Sequence, residues 1–191
     1  MYHKEEFFET IKCSDLEIYN LSYHKQRIAN TIGKNISLEE YIYPPNQKLL
    51  KCKIIYNQDE IINIIYDTYI HKIIKSFQLV YNNDISYNKK STNRKKIDNL
   101  YLQKQISDEI IIVKNNLITD TSIANIAIYY NNNWYTPKTP LLYGTTRQRY
   151  IDDNFIKEKD ITIDMLKSSS KIALLNAMID FKIIHNCDII L

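Results

Sequence analysis

The sequence predicts a mixed α/β (α+β) fold in two lobes, on three observations. Short Ile- and Tyr-rich runs suited to strands recur between turns rich in Asn and Asp. Two segments, 22–32 and the stretch from Asn93 to Lys104, instead place apolar residues three and four apart, as a helix requires. The third is composition: 45% apolar residues supply a packed core, while 2 Gly and 4 Pro exclude a collagen-like or linker-rich chain. At an average usage of roughly 7%, a chain this long would carry about a dozen glycines. Either the fold needs few residues at positive φ, or Asn fills those places.

Each element follows in order. Residues 5–12 and 17–21 read as strands around a Cys13-Ser14-Asp15 turn, and Ser22 is placed to cap a helix ending at Gly33. Beyond the Pro44-Pro45 break, 48–56 and 60–70 form a hairpin across Asn57-Gln58-Asp59-Glu60. A strand at 73–82 leads into a Lys-rich loop at 82–92, and the helix from Asn93 leads to a strand opened by Asp108-Glu109. Asn115-Asn116 turns the chain into two more strands reaching Tyr130, and Asn131-Asn132-Asn133 tips a hairpin before Trp134. Thr145–Asn154 is helical, Asp164 caps a short helix, and 171–175 and 187–190 are apolar, strand-like runs. The lobes divide near 72–77, giving a small N-terminal α/β domain at 1–74 and a larger C-terminal domain at 75–191.

Several function classes drop out. A net charge of +3 provides no field to draw the chain onto nucleic acid, and no aromatic stacking pattern accompanies its basic residues. No apolar stretch approaches the ~18 residues of a membrane span, and the charged start Met1-Tyr2-His3-Lys4-Glu5-Glu6 has no signal core. Three cysteines, Cys13, Cys52 and Cys187, form no CxxC and suit a reducing cytoplasm. The four histidines, His3, His24, His71 and His185, lack metal-ligand spacing, so no metal is expected.

Four local constellations can carry chemistry. Gly144-Thr145-Thr146-Arg147 opens a helix with a glycine and two hydroxyls, a suitable seat for an anion. A capped helix with an exposed arginine would read the same way. Asn88-Lys89-Lys90-Ser91-Thr92-Asn93-Arg94 offers a lysine for covalent or base chemistry, although solvated basic loops share that pattern. Thr119-Asp120-Thr121-Ser122 places a carboxylate at a strand end among hydroxyls, as an ordinary Asx turn also does. His24 and Arg27 lie three apart on one helix face, and Arg is the side chain best shaped to grip phosphate.

In this order the pieces resemble the class IV, or fold-type IV, family of pyridoxal-phosphate enzymes. That family includes branched-chain and D-amino-acid aminotransferases and 4-amino-4-deoxychorismate lyase. The resemblance rests on Phe8-Glu9-Thr10-Ile11-Lys12, His24 to Arg27, Lys90 with Asn93, Asp108-Glu109-Ile110-Ile111, Thr119-Asp120 through Asn125, and Gly144-Thr145-Thr146-Arg147. It implies a two-lobed fold in shortened form, since the chain starts where the family's second strand lies. It makes Lys90 the Schiff-base lysine, carried by the larger domain, with Lys89 its nearest rival. Arg27, Gly144, Thr145 and Thr146 would hold the cofactor phosphate, and Ser122 would also bind the cofactor. Asp120, standing where the family has Glu, would meet the pyridine nitrogen and keep the ring an electron sink.

Two details favour the lyase within the family. Lys90 precedes Asn93 by three residues, and Asn176-Ala177 stands where branched-chain aminotransferases carry a Thr-Gly-Thr-Ala turn for the substrate carboxylate. The resemblance therefore implies a lyase converting 4-amino-4-deoxychorismate to 4-aminobenzoate and pyruvate in folate biosynthesis, with Asn176 and Ala177 at the substrate. The alternatives are an aminotransferase acting on branched-chain or D-amino acids, and a non-catalytic descendant binding a ligand or partner. A small-molecule amine substrate and a homodimer are implied with the family.

Overall fold

Alternation of period two shapes the first part of the chain. In the computed structural model, which describes residues 4–190, β1 (Phe7–Ser14) and β3 (Leu50–Tyr56) bury every second residue. They pair antiparallel from Phe7 opposite Tyr56 to Cys13 opposite Leu50. The short β2 (Glu17–Ile18) and the longer β4 (Ile61–Thr68) complete a sheet of order β2-β1-β3-β4. Helix α1 (Leu21–Ile32) turns His24, Ile28 and Ile32 inward, at the spacing of four that keeps one face together. Their core partners include Phe7, Ile11, Leu38, Cys52 and Ile54. The helix starts at Leu21, two residues before the start that a Ser22 cap implies; Asn20, in a left-handed conformation, precedes it, and Gly33 ends it at φ 72°.

The second part is built on strands buried on both faces. Strands β5 (Ser76–Tyr81) and β6 (Glu109–Lys114) run parallel, and the connection between them carries α2 (Lys95–Tyr101). Ile110 and Ile112 of β6 join a core with Ile97 and Leu100 of α2, while Ile111 and Val113 point to the opposite core. Antiparallel pairing continues through β7 (Leu117–Thr121), β8 (Asn125–Tyr130) and β9 (Asn133–Pro137). Helix α3 (Thr145–Asp152) precedes β10 (Lys157–Lys159), and α4 (Ile163–Ser168) precedes the pair β11 (Lys171–Asn176) and β12 (Asp180–Ile184). Strand β11 pairs with both β12 and β8, and β13 (Asp188–Ile190) lies parallel to β5. No helix is long and apolar enough to cross a membrane among the described residues.

Asparagine takes more of the left-handed backbone positions than any other residue among those described, beside Asp15, Leu16, Gln105 and Asp180. Asn20, Asn115, Asn116, Asn131, Asn132, Asn154 and Asn186 all have positive φ, with Gly33 as the glycine that joins them. Two expected details change. Asp164 sits in the first turn of α4, and the cap is Thr162, whose hydroxyl accepts from the Met165 N–H. Strands β10 and β12 join those read from sequence.

The two compact units are not contiguous segments at 1–74 and 75–191. The first comprises the chain to His71 together with Lys89–Asn93, and the second comprises Lys72–Asn88 and the chain from Arg94 onward. Lys90 thus belongs with the smaller unit, contrary to the expected placement. The reason is backbone pairing: the Phe8 N–H donates to the Lys90 carbonyl at 2.9 Å, and the Thr92 N–H to the Glu6 carbonyl at 2.9 Å.

Candidate active site

Within the first unit, Glu9 occupies an inward position of β1, between Phe7 and Ile11, and is fully buried. Arg27 on α1 meets it with two nitrogens, Nε donating to Oε1 at 2.8 Å and Nη2 to Oε2 at 2.5 Å. His24, also fully buried, meets the same Oε2 through Nδ1 at 2.5 Å. Burial pushes the Glu9 carboxyl up, but the Arg27 charge and the bonds from His24 and Arg27 outweigh it and hold it at about 2. Burial dominates at His24 and lowers its pKa despite Glu9, with the Arg27 and Lys90 charges acting in the same direction. The imidazole is therefore neutral at pH 7, its Nδ1–H donating to the carboxylate. His24 Nε2 is buried with no partner among the described residues.

The predicted lysines lie beside the aromatic pair of β1. Lys90 is half-buried with Nζ 4.5 Å from the centre of the Phe8 ring. Lys89 is exposed, with Nζ 5.5 Å from the Phe7 ring centre. The two thus differ in exposure, and Lys90 is the less solvated.

Within the second unit, Asp120 is the last residue but one of β7, with its carboxylate buried. Its Oδ1 accepts from Asn125 Nδ2 at 2.6 Å, and its Oδ2 from the Leu142 N–H at 2.9 Å. Burial raises its pKa to about 6, against the lowering effect of those bonds and of the Arg147 charge. Asn125 Nδ2 also donates to the Leu142 carbonyl at 2.8 Å, so one amide ties the carboxylate to the chain entering α3.

Gly144 stands just before α3 with φ −72° and ψ 142°, a conformation open to any residue. What requires glycine there is the Asn125 side chain: a Cβ would lie 2.0 Å from its Oδ1. Thr145 and Thr146 follow in the first turn, both buried, and Thr146 Oγ1 has no partner among the described residues. Arg147 is not the exposed arginine that a plain capped helix would carry. It is 1% exposed, and its Nη2 donates to the Pro137 carbonyl at 2.8 Å and to Glu158 Oε1 at 2.6 Å.

Ser122 donates its hydroxyl to Glu109 Oε1 at 2.5 Å, and its N–H reaches the same oxygen at 3.2 Å. Glu109, fully buried, also pairs with Lys72 at 3.2 Å. Asn176 closes β11: its Oδ1 accepts from the N–H groups of Met178 and Ile179, an Asx turn that carries Ala177 at its centre. Its Nδ2 donates to the Ile123 carbonyl at 3.3 Å.

The structure thus gathers Arg27 with Glu9 and His24 in one unit, and Asp120, Asn125 and Gly144–Thr146 in the other. Glu9 and Glu109 are the carboxylates that sequence reading left without a role. Both had a visible signal, since each holds an inward or doubly buried strand position otherwise reserved for apolar residues.

Comparison with known proteins identifies the family of the chain. The family model for amino-transferase class IV matches residues 66–187. An uncharacterized protein of Haemophilus influenzae is 35% identical over 182 residues, covering 90% of this chain and 96% of its own length. The crystal structure of a putative 4-amino-4-deoxychorismate lyase from Haemophilus somnus is 30% identical, with a TM-score of 0.85. It covers 93% of this chain and 98% of its own. A hypothetical aminotransferase from Mycobacterium tuberculosis, in its PLP-bound form, shares the fold with a TM-score of 0.76 at 14% identity. The alignment covers 96% of this chain and 81% of that one. The chain belongs to the amino-transferase class IV family, the pyridoxal-phosphate enzymes of fold type IV.

Proposed function

We propose that the protein is a pyridoxal-phosphate lyase that converts 4-amino-4-deoxychorismate to 4-aminobenzoate and pyruvate. The observation that carries the cofactor assignment is the buried Asp120 carboxylate tied through Asn125 to the turn at Gly144. These residues fit the group. Thr146 Oγ1 is a buried hydroxyl without a partner among the described residues, at a helix start whose first N–H groups point outward. A carboxyl poised near 6 remains ionised beside a cationic ring nitrogen, so Asp120 keeps its charge once that partner is present.

When bound, pyridoxal phosphate supplies an electron sink conjugated to the substrate amine. Arg27, Thr145 and Thr146 would hold its phosphate, Asp120 its ring nitrogen, and Lys90 its reactive carbon. Ser122, whose hydroxyl donates to Glu109, would bound the site rather than give that proton to a ligand. Lys90 Nζ would act as the base that takes the proton from the ring carbon bearing the substrate amine. The ring C–O bond to the enolpyruvyl group then breaks, the ring becomes aromatic, and Lys90 returns a proton to the departing enol to give pyruvate. Asn176 and Ala177 would orient the substrate.

The three-residue step from Lys90 to Asn93 and the likeness to the Haemophilus somnus protein support the lyase over an aminotransferase. A cytoplasmic homodimer acting in folate synthesis completes the proposal. The test is turnover with 4-amino-4-deoxychorismate as sole substrate. Equal amounts of pyruvate and 4-aminobenzoate are expected without an added 2-oxo acid. Turnover that requires a 2-oxo acid acceptor would instead establish an aminotransferase.

A further inference from the structure

The buried carboxylate of Glu9 takes no part in the chemistry above, yet its surroundings are fully specified. It takes two of the five N–H donors of the Arg27 guanidinium, through Nε and Nη2, and a third bond from His24. A bidentate pair fixes both the position and the plane of a guanidinium, which a single bond does not. The carboxylate is itself immobile. It sits on β1 at a position paired with Ile54 of β3, with no solvent exposure, and its Oε2 is also held by the His24 imidazole of α1. The Arg27 side chain is only 13% exposed, so its long stem is packed as well.

We propose that Glu9, braced by His24, is a positioning residue that holds the Arg27 guanidinium in one orientation and thereby sets the affinity for the phosphate of the cofactor. The inference rests on the reading of Arg27 as a phosphate ligand. Its physical basis is preorganisation: an arginine whose plane is already fixed loses less freedom when the anion arrives. A flexible arginine at the same place would bind more weakly with unchanged charge. Glu9 withdraws part of the net positive charge at the site, so orientation rather than field strength is what it contributes.

The experiment compares pyridoxal phosphate with pyridoxal, which lacks the phosphate, by absorbance titration of purified apoprotein. Arg27→Lys tests the underlying reading: it should weaken binding of pyridoxal phosphate and leave pyridoxal unchanged. If Arg27→Lys leaves both affinities unchanged, Arg27 is not the phosphate ligand and the underlying reading fails. With that established, Glu9→Gln should weaken pyridoxal phosphate about ten- to a hundredfold, as loss of an outer partner does for metal ligands, with pyridoxal unaffected. Glu9→Gln should add nothing further in the Arg27→Lys background, since it acts through that side chain. Equal weakening of both ligands by Glu9→Gln, or no weakening, would overturn the inference. Glu9→Asp, which keeps the charge but shortens the reach, serves if Glu9→Gln does not fold, and the same two outcomes decide it.

Discussion

Replacing Gly144 by alanine tests the finding that this glycine accommodates Asn125. The added methyl would lie 2.0 Å from Asn125 Oδ1 and 3.2 Å from its Cγ, and the backbone angles at 144 carry no penalty of their own. Asn125 must therefore move, and its Nδ2 loses the bonds to Asp120 Oδ1 and the Leu142 carbonyl. A bond to a carboxylate contributes about 1.5–3 kcal/mol and one to a neutral carbonyl about 1 kcal/mol, so the expected loss is about 3 kcal/mol. In a chain of this size that corresponds to a fall of roughly 6–12 °C in Tm. The discriminating assay is a double-mutant cycle by urea unfolding of the apoprotein. With Asn125→Ala already present, Gly144→Ala should cost less than about 1 kcal/mol, leaving a coupling of about 2 kcal/mol. An equal cost in both backgrounds would refute the reasoning and return the glycine to a backbone role.

Three further outcomes follow from the buried groups. Asp120, raised from 3.8 to about 6, binds its proton more tightly when folded. The apoprotein should therefore lose up to about 3 kcal/mol relative to Asp120→Asn as pH rises from 4 to 6, with no further change above, measured by urea unfolding across pH. Glu9 acts with the opposite sign: lowered from 4.5 to about 2, its contribution of about 3 kcal/mol is present above pH 4.5 and vanishes as pH falls to 2. Wild type and Glu9→Gln should accordingly show different acid slopes in that window. Asn176→Ala removes the acceptor for the Met178 and Ile179 N–H groups and should cost about 1 kcal/mol in thermal unfolding. If Asn176 also orients substrate, KM rises more than kcat falls.

Much of this architecture is legible in the chain because the signals are local. The period-two run Leu50, Cys52, Ile54, Tyr56 marks β3, and Asn115-Asn116 and Asn131-Asn132 mark left-handed turns where most sequences would carry glycine. Strand β10 is hidden because Lys157-Glu158-Lys159 is exposed throughout and owes its conformation to parallel pairing with β9. Strand β12 is only half-buried along most of its length, so its alternation is weak. At the site, His24 and Arg27 are readable as neighbours on one helix face, but their common partner lies 15 and 18 residues away on another element. Such a contact depends on how α1 packs on β1, which no spacing rule encodes. Arg147 shows the converse: a motif suggesting an anion grip carries an arginine whose Nη2 serves Pro137 and Glu158. Lys90 joins the first unit through backbone pairing with β1, a long-range interaction invisible in the sequence of its loop.

The most direct test of the account is to load the apoprotein with pyridoxal phosphate, reduce it with borohydride, and map the modified peptide by mass spectrometry. The account predicts a single phosphopyridoxyl group, on the side-chain nitrogen of Lys90, and none in Lys90→Ala. Modification at Lys89, at scattered surface lysines or at no residue would contradict it.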